Sequence, residues 1–200
     1  MSKLDSSFYS RPDTLQIAQE LLGKYLVTEF DGIRTAGMIV ETEAYLGVGD
    51  RACHAWNGRR SKRTEIMYAP GGTAYVYLCY GIHHLFNVVT HEVDTPHAIL
   101  VRAVEPVEGV KAMLERRGKE KLNRSLAGGP GALSGALGIS TAHTGMSLME
   151  GEIWLEDRGK GFTEAQVLAS PRVGVGYAGE DALLPYRFRV AGSPWTSPAK

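Results

Sequence analysis

Two tight-turn dipeptides, each between long runs of strand-forming residues, constrain the fold of this chain most. Asp31-Gly32 separates the runs 25–30 and 33–45, and Tyr80-Gly81 separates 74–79 from 85–90. Short turns of this kind join antiparallel neighbours, whereas parallel strands need long crossovers. Helical patterns follow Asp13, Pro106 and Gly129, and short strand-like runs lie at 152–155, 172–174 and 186–190. Because strands and helices do not alternate regularly, we predict one α+β domain over residues 1–200.

Length and composition exclude several classes of protein. The chain has 200 residues, 44% of them hydrophobic and 22% charged, which excludes disordered and collagen-like chains. We find no apolar run of about 18 residues and no secretory signal at the N-terminus, and we therefore expect a cytoplasmic protein without a membrane span. Two cysteines, Cys53 and Cys79, cannot make a disulfide framework or a four-cysteine zinc site.

The charge is balanced overall but not locally. Lys plus Arg and Asp plus Glu both number 22, so bulk charge does not indicate nucleic-acid binding. A glycine-rich loop over 47–73 nevertheless carries a basic run without an acidic residue between 51 and 63. That run holds Arg51, Arg59, Arg60, Lys62 and Arg63, and a second basic stretch covers 111–124. Either stretch is a solvated surface or a phosphate-binding strip.

Alternation over 39–45 places Ile39, Glu41, Glu43 and Tyr45 on one face of a strand. The two carboxylates would then lie about 6.5–7 Å apart along the strand. A polar edge facing solvent explains this pattern. A pocket explains it too, because an aromatic residue shares the face and the basic loop follows directly.

Arg102 lies inside the apolar run 99–104, where a guanidinium needs a partner. A core ion pair with one of the glutamates and a pairing with a catalytic carboxylate both satisfy this need, and Glu43 is a candidate partner in either case. His54 stands alone in the loop and has no metal-ligand spacing around it, so we expect no metal and no cofactor. Tyr75 and Tyr77 share a face of the second hairpin, and Tyr80 stands at its tip. An aromatic residue on a rigid tip has the shape of a wedge for a base stack.

Two further functions fit parts of this pattern. A carbohydrate-active hydrolase would use Glu41 and Glu43 as paired acid and base, although neighbours on one strand do not flank a substrate well. A non-catalytic nucleic-acid-binding module would explain the arginines and tyrosines, but not the buried Arg102 or the carboxylate face.

Several long motifs together resemble the alkyladenine (3-methyladenine) DNA glycosylase family. They are Val40-Glu41-Thr42-Glu43-Ala44-Tyr45-Leu46-Gly47, Ala52-x-His54, Tyr75-Val76-Tyr77-Leu78-Cys79-Tyr80-Gly81 with Asn87, Val101-Arg102-Ala103-Val104-Glu105-Pro106, Arg172-Val173-Gly174-Val175-Gly176 and Gly192-Ser193-Pro194-Trp195. The resemblance covers nearly the whole chain, in order. It departs at His83 and His84, where larger apolar or aromatic residues are expected.

The resemblance implies a compact mixed α/β domain with a curved, mainly antiparallel sheet, flanking helices and a protruding hairpin. It implies a monomer that removes alkylated or deaminated purines from duplex DNA without metal, cofactor or strand cleavage.

Roles for individual residues are implied by motif position. Glu43 resembles the general base and Arg102 its partner. Tyr45 and His54 resemble one wall of the base pocket and Tyr77 the other. Tyr80 resembles the intercalating plug, and Asn87 the residue that crowds a guanine amino group. Arg59 and Arg63 are candidate contacts to the DNA backbone, and the segment 172–176 is expected to lend a backbone group to the pocket.

Overall fold

The computed structural model describes residues 2–197, which form one nine-stranded sheet and four α-helices. The strands are β1 (Ser2–Lys3), β2 (Tyr25–Phe30), β3 (Ile33–Leu46), β4 (Ala74–Cys79), β5 (His83–Thr90), β6 (His97–Glu108), β7 (Ile153–Asp157), β8 (Val167–Ser170) and β9 (Arg187–Val190). The helices are α1 (Ser6–Tyr9), α2 (Thr14–Glu20), α3 (Val110–Arg117) and α4 (Pro130–Leu137).

The sheet order is β1-β7-β2-β3-β6-β5-β4, and every pairing is antiparallel. The long strand β3 pairs with β2 along its first half and with β9 at residues 41–43, while β6 lies on its other side. Strand β8 pairs with β9. The α+β class with a mainly antiparallel sheet is confirmed.

Both predicted hairpins form around residues with positive φ. Asp31 and Gly32 have φ of 52° and 74°, and Tyr80 and Gly81 have φ of 51° and 75°. Two consecutive positive φ values define a type I′ turn, whose twist suits a β-hairpin. The second hairpin is longer than predicted, because β5 begins at His83.

The helix signals after Asp13 and Gly129 are confirmed. The Asp13 side chain accepts a hydrogen bond from the Gln16 amide at 2.9 Å at the start of α2. Pro130 occupies the first turn of α4, where its missing N–H costs no hydrogen bond.

The prediction that Pro106 opens a helix is wrong. Strand β6 continues through Pro106 to Glu108, and α3 begins only after Gly109, whose φ is 64°. Pro106 lies opposite Gly37 at a register shift, where the described part of the sheet pairs β6 with β3 alone. A proline is tolerated at such a bulge.

The prediction of a strand at 172–174 is also wrong. This segment is irregular and Gly174 has φ of 75°, whereas the strand in this region, β8, lies earlier in the chain.

The two faces of the sheet have different functions in the fold. Val40, Ala44, Val76, Val88 and Val101 face the main core, where α2 and α4 cover the sheet. The opposite face carries a smaller cluster that includes Tyr75, Val89 and Ala98, covered by the loop over 47–73. The loop contains three short 3-10 helices and no strand, as its glycines indicate. The predicted polar residues are found on this second face.

Candidate active site

A cavity of about 680 Å³ opens on the second face of the sheet. Its lining brings together residues from β3 to β6, the loop over 47–73, the start of α4 and the segment 173–177. Of the residues singled out in the sequence, Tyr45, His54, Arg63, Tyr77, Tyr80, Asn87 and Arg102 line it.

Strand register explains why these residues meet. Glu43 of β3 lies opposite Leu100 of β6, Leu100 lies opposite Asn87 of β5, and Asn87 lies opposite Tyr75 of β4. Paired residues on adjacent antiparallel strands project to the same face. These four residues therefore form one row across the sheet, with the carboxylate at one end and the hairpin at the other.

The alternation along β3 is interrupted. Register shifts flank Glu41, and Ile39 packs in the main core instead of sharing a face with Glu43 and Tyr45. The expectation that all four residues share a face is thus corrected at Ile39, because a bulge inserts a residue and reverses the side on which the chain projects.

Glu43 is fully buried, so a polar edge facing solvent is excluded. Its Oε1 accepts the Val173 amide at 2.8 Å, and its Oε2 accepts the Tyr45 hydroxyl at 2.9 Å. An Arg102 terminal nitrogen lies 3.3 Å from Oε2. The segment 172–176 thus lends a backbone group to the site, namely the Val173 N–H.

Arg102 bridges both carboxylates of β3. Its Nε donates to Glu41 Oε1 at 2.8 Å, in addition to its contact with Glu43. The partner that the sequence left open is therefore a pair of carboxylates, and Glu41 is as fully buried as Glu43.

The two carboxylates differ in their pKa values. Burial raises the pKa of Glu43 above its ordinary value, and the nearby Glu41 charge adds to this, although Arg102 opposes it. Burial also acts to raise the pKa of Glu41, but Arg102, the Ser197 amide and Arg187 outweigh it, and the pKa of Glu41 is lowered. Two carboxylates with opposite shifts are typical of a site that assigns them different tasks.

The aromatic residues are grouped differently from the expectation. The His54 and Tyr77 rings meet edge to face, with centroids 4.7 Å apart, so no base fits between them. They form one wall together with Tyr75, whose ring lies 5.5 Å from that of Tyr77. His54 therefore belongs with Tyr77 and not with Tyr45.

Hydrogen bonds fix the tautomer of His54, and its surroundings keep the ring neutral. An Arg63 nitrogen donates to His54 Nε2 at 3.1 Å, since a guanidinium can only donate. The proton of the neutral ring is then on Nδ1, which donates to the Tyr75 hydroxyl at 2.8 Å. Burial, aided by Arg63 and Arg59, lowers the pKa of His54 to about 4. His54 is a neutral ring at physiological pH.

Asn87 presents a fixed amide to the cavity. It is buried, and its Nδ2 donates to the carbonyls of Tyr75 and Leu85, both at 3.1 Å. Both amide hydrogens are thus used, and the side chain cannot turn without losing two hydrogen bonds.

Tyr80 is the most exposed aromatic residue at the cavity, with 90% of its surface accessible. Its φ of 51° lies in the left-handed region, which costs an ordinary L-residue about 1–2 kcal/mol. Because the ring is exposed in the free protein, no burial of apolar surface offsets this conformational cost. An exposed ring held in a strained conformation indicates a functional position.

Part of the positive charge of the basic loop is neutralised within the protein. Arg60 pairs with Glu65 and Asp94, both at 2.8 Å, and these acidic residues neutralise it. The guanidinium of Arg63 lies 4.9 Å from the Tyr77 ring centroid at the cavity, whereas Arg59 is exposed and does not line the cavity.

A buried ion pair that sequence reasoning missed supports this site. Arg172 donates to Asp50 Oδ1 at 2.8 Å and to the Ala44 carbonyl at 2.9 Å, and its guanidinium lies 4.8 Å from the Tyr45 ring centroid. The pair anchors the segment that contains Val173 against β3. Asp50 lies in a glycine-rich loop far away in sequence, and nothing in its local pattern marked it.

Within residues 2–197, no group of three or more His, Cys, Asp or Glu side chains is arranged to hold a metal ion. No helix in the same range is long and apolar enough to span a membrane.

Comparison with known proteins identifies the family. Residues 7–194 match the family described as Methylpurine-DNA glycosylase (MPG). The chain belongs to the methylpurine-DNA glycosylase family.

Among its relatives are proteins named "Putative 3-methyladenine DNA glycosylase". The one from Bacillus thuringiensis is 43% identical over 96% of this chain and 97% of its own length. The one from Methanocella arvoryzae is 45% identical over 98% and 96%, and the one from Chlamydia felis is 44% identical over 92% and 94%. The family resemblance found in the sequence is confirmed.

Proposed function

We propose that this methylpurine-DNA glycosylase family member is a monofunctional 3-methyladenine DNA glycosylase. It removes alkylated or deaminated purines, of the 3-methyladenine, 7-methylguanine and hypoxanthine class, from duplex DNA and so initiates base excision repair. The observation that carries this proposal is a buried Glu43 beside an aromatic cavity, with an exposed Tyr80 at the cavity rim. Residues 1–200 act as one glycosylase domain, because the sheet runs through the described chain.

The base must leave the duplex before it can react. Extrusion costs a few kcal/mol, less for a damaged and poorly paired base. Stacking on aromatic side chains returns about 1–3 kcal/mol per base. In our proposal the purine stacks on the His54 and Tyr77 wall, with Tyr45 on the opposite side, while Tyr80 fills the gap in the duplex. A cationic alkylated base gains further from the negative ring faces.

Glu43 then activates water. The carboxylate accepts a proton from a water molecule as the water oxygen bonds to the anomeric carbon. The glycosidic C–N bond breaks, and its electron pair leaves with the base. A carboxylate near the sugar also stabilises the positive charge that develops there. The raised pKa of Glu43 makes it a stronger base, and Arg102 keeps it oriented.

Strand cleavage is not expected of this site. Lyase chemistry needs an amine nucleophile, and a lysine commonly supplies it. Among the described residues that line the cavity, none is a lysine.

Specificity and DNA positioning involve two further groups of residues. The fixed amide of Asn87 crowds the position of a guanine amino group while leaving room for adenine-like edges. Arg59 and Arg63 contact the DNA backbone near the extruded nucleotide, where phosphate contacts fix position and not sequence.

The rival functions explain the site less well. Arg102, Arg187 and Ser197 occupy both oxygens of Glu41 and its pKa is lowered, so it is unsuited to act as the acid of a paired acid and base in a carbohydrate hydrolase. A non-catalytic binding module gives no reason for a fully buried Glu43 with a raised pKa.

One assay tests the proposal. The purified protein is incubated with methylated duplex DNA, hypoxanthine-containing duplex DNA or glycans, in the presence of a chelator. Release of free purine with the DNA strand left intact supports the proposal. DNA binding without base release would favour the binding module, and glycan cleavage would favour the hydrolase.

A further inference from the structure

Glu41 is part of a buried cluster of charged groups behind the cavity. Its Oε1 accepts Arg102 Nε and Arg187 Nε, both at 2.8 Å. Its Oε2 accepts the Ser197 amide at 2.8 Å, and the Ser197 hydroxyl lies within 3.1 Å of both carboxylate oxygens. The carboxylate is thus fully occupied by donors.

Arg102 is held more closely by Glu41 than by Glu43. Its Nε lies 2.8 Å from Glu41, while its terminal nitrogen lies 3.3 Å from Glu43. Arg102 also sits in a bulge: Ala103 lies opposite Glu41 and Val101 opposite Thr42, which leaves Arg102 without a partner on β3. A bulge re-aims the side chain of the extra residue, and the buried Arg102 side chain is directed to Glu41, which holds its Nε.

We propose that Glu41 is a positioning residue for the base-excision reaction and that Ser197 completes its binding site. Glu41 holds the Nε edge of Arg102, so that the guanidinium reaches Glu43 through one terminal nitrogen. This inference rests on the proposed function and extends it to a residue that does not line the cavity.

The charge balance of the cluster explains why this arrangement matters. Glu41 and Glu43 carry two negative charges, and Arg102 and Arg187 carry two positive charges. Without the charge on Glu41, Arg102 would pair fully with Glu43. A closer cation favours the ionised carboxylate and makes it a weaker base.

Other charged and titratable groups face Glu43 from each element packed against it. These groups are Tyr45 and Glu41 on β3, Tyr77 on β4, Arg102 on β6, Arg172 on the segment before Val173, and Arg187 opposite on β9. Glu41→Gln changes only one of these charges. It should therefore shift the acid limb of the pH–rate profile, which reports the ionisation of Glu43.

The test compares Glu41→Gln with the parent protein on hypoxanthine-containing duplex DNA under single-turnover conditions. We expect base release to slow by about 10- to 100-fold, as a part of the general-base contribution is lost. We expect binding of the damaged duplex to stay within a few-fold of the parent. The acid limb should move to lower pH by roughly half a unit or more.

Glu156→Gln is a matched control. Glu156 is also buried in the sheet and accepts hydrogen bonds from Trp154 at 3.0 Å and Arg158 at 2.6 Å, but it lies on β7 away from the cavity. Its substitution should lower the midpoint of thermal unfolding and leave the rate and the acid limb of the folded protein unchanged. Equal rate losses in both variants, without a shift of the acid limb, would overturn the proposal.

A second variant keeps the test decisive if Glu41→Gln does not fold. Ser197→Ala removes one hydroxyl donor and keeps the backbone amide, and we expect base release to fall by about 3- to 10-fold. An unchanged rate in Ser197→Ala would then contradict the proposal.

A readout independent of catalysis separates this inference from the proposed function. Carboxyl-carbon NMR titration of Glu43, without DNA, should give a lower pKa in Glu41→Gln than in the parent, because the charge on Glu41 is lost. If the parent releases no base but the pKa still moves, the proposed function fails and the coupling of Glu41 to Glu43 stands. If the parent is active and the pKa does not move, the positioning role fails.

Discussion

The substitution Tyr80→Asn separates DNA binding from stability at the hairpin tip. The Tyr80 ring is 90% exposed in the free protein, so its removal sacrifices little packing. Asparagine tolerates the left-handed region better than tyrosine, and Asn-Gly is the preferred pair of a type I′ turn. We therefore expect the free energy of unfolding to stay constant or to rise by up to about 1 kcal/mol.

The effect on DNA binding should have the opposite sign. If the ring fills the gap left by an extruded base, its loss removes a stacking contribution of about 1–3 kcal/mol. This corresponds to about 5- to 150-fold weaker binding of the damaged duplex. Fluorescence anisotropy with a duplex that carries one hypoxanthine measures it, in the Glu43→Gln background so that the substrate stays intact. Urea unfolding measures the stability of the same variant.

The other hairpin supplies the control. Asp31 has φ of 52° at the equivalent turn position, so Asp31→Asn introduces the same Asn-Gly pair. Because Asp-Gly already suits this turn, the substitution should change the stability little and have no effect on the binding of damaged DNA. Unchanged affinity in Tyr80→Asn would refute the role of the ring as a plug, and a large loss of stability would refute the argument from φ.

Two further predictions address selectivity and pH. Asn87→Ser should raise the release of 7-methylguanine relative to hypoxanthine, because it opens space for the amino group, and an unchanged product ratio would contradict this. The same substitution should lower the free energy of unfolding by about 1–3 kcal/mol, since two buried carbonyls lose their donor. Burial, followed by the charge on His91, lowers the pKa of His97 to about 4, so the unfolded state binds more protons than the folded state between about pH 4 and 6.5. The free energy of unfolding should therefore rise with pH across this window. His97→Asn should flatten that rise in urea titrations, and a slope equal to that of the parent would exclude His97 as a source.

The sequence predicted the local features of this fold better than the long-range ones. Asp31-Gly32 and Tyr80-Gly81 predicted both hairpins, because a turn is encoded by the residues that form it. The helix predicted to start at Pro106 was wrong, because a β-bulge with a single neighbouring strand tolerates proline. No local signal in the sequence marks such a bulge. Alternation placed Glu41 and Glu43 on one face but could not tell that both are buried.

The same limit applies to the site. Residues within one motif, such as Glu43 with Tyr45, could be grouped from the sequence. The pairing of Arg172 with Asp50 depends on two distant loops meeting, and the position of His54 beside Tyr77 depends on how the loop over 47–73 folds over the sheet. Such contacts follow from tertiary packing, which spacing does not encode.

The most direct test of the account is base release by Glu43→Gln. The pKa of Glu43 is raised in the folded state, so the stability it contributes is present at low pH and is lost as pH rises through that pKa. At neutral pH the neutral glutamine should therefore preserve the fold and the binding of damaged DNA. Single-turnover release of hypoxanthine should fall by about 10²- to 10⁴-fold, the usual worth of a general base. Release at the rate of the parent would contradict the assignment of Glu43 as the residue that activates water.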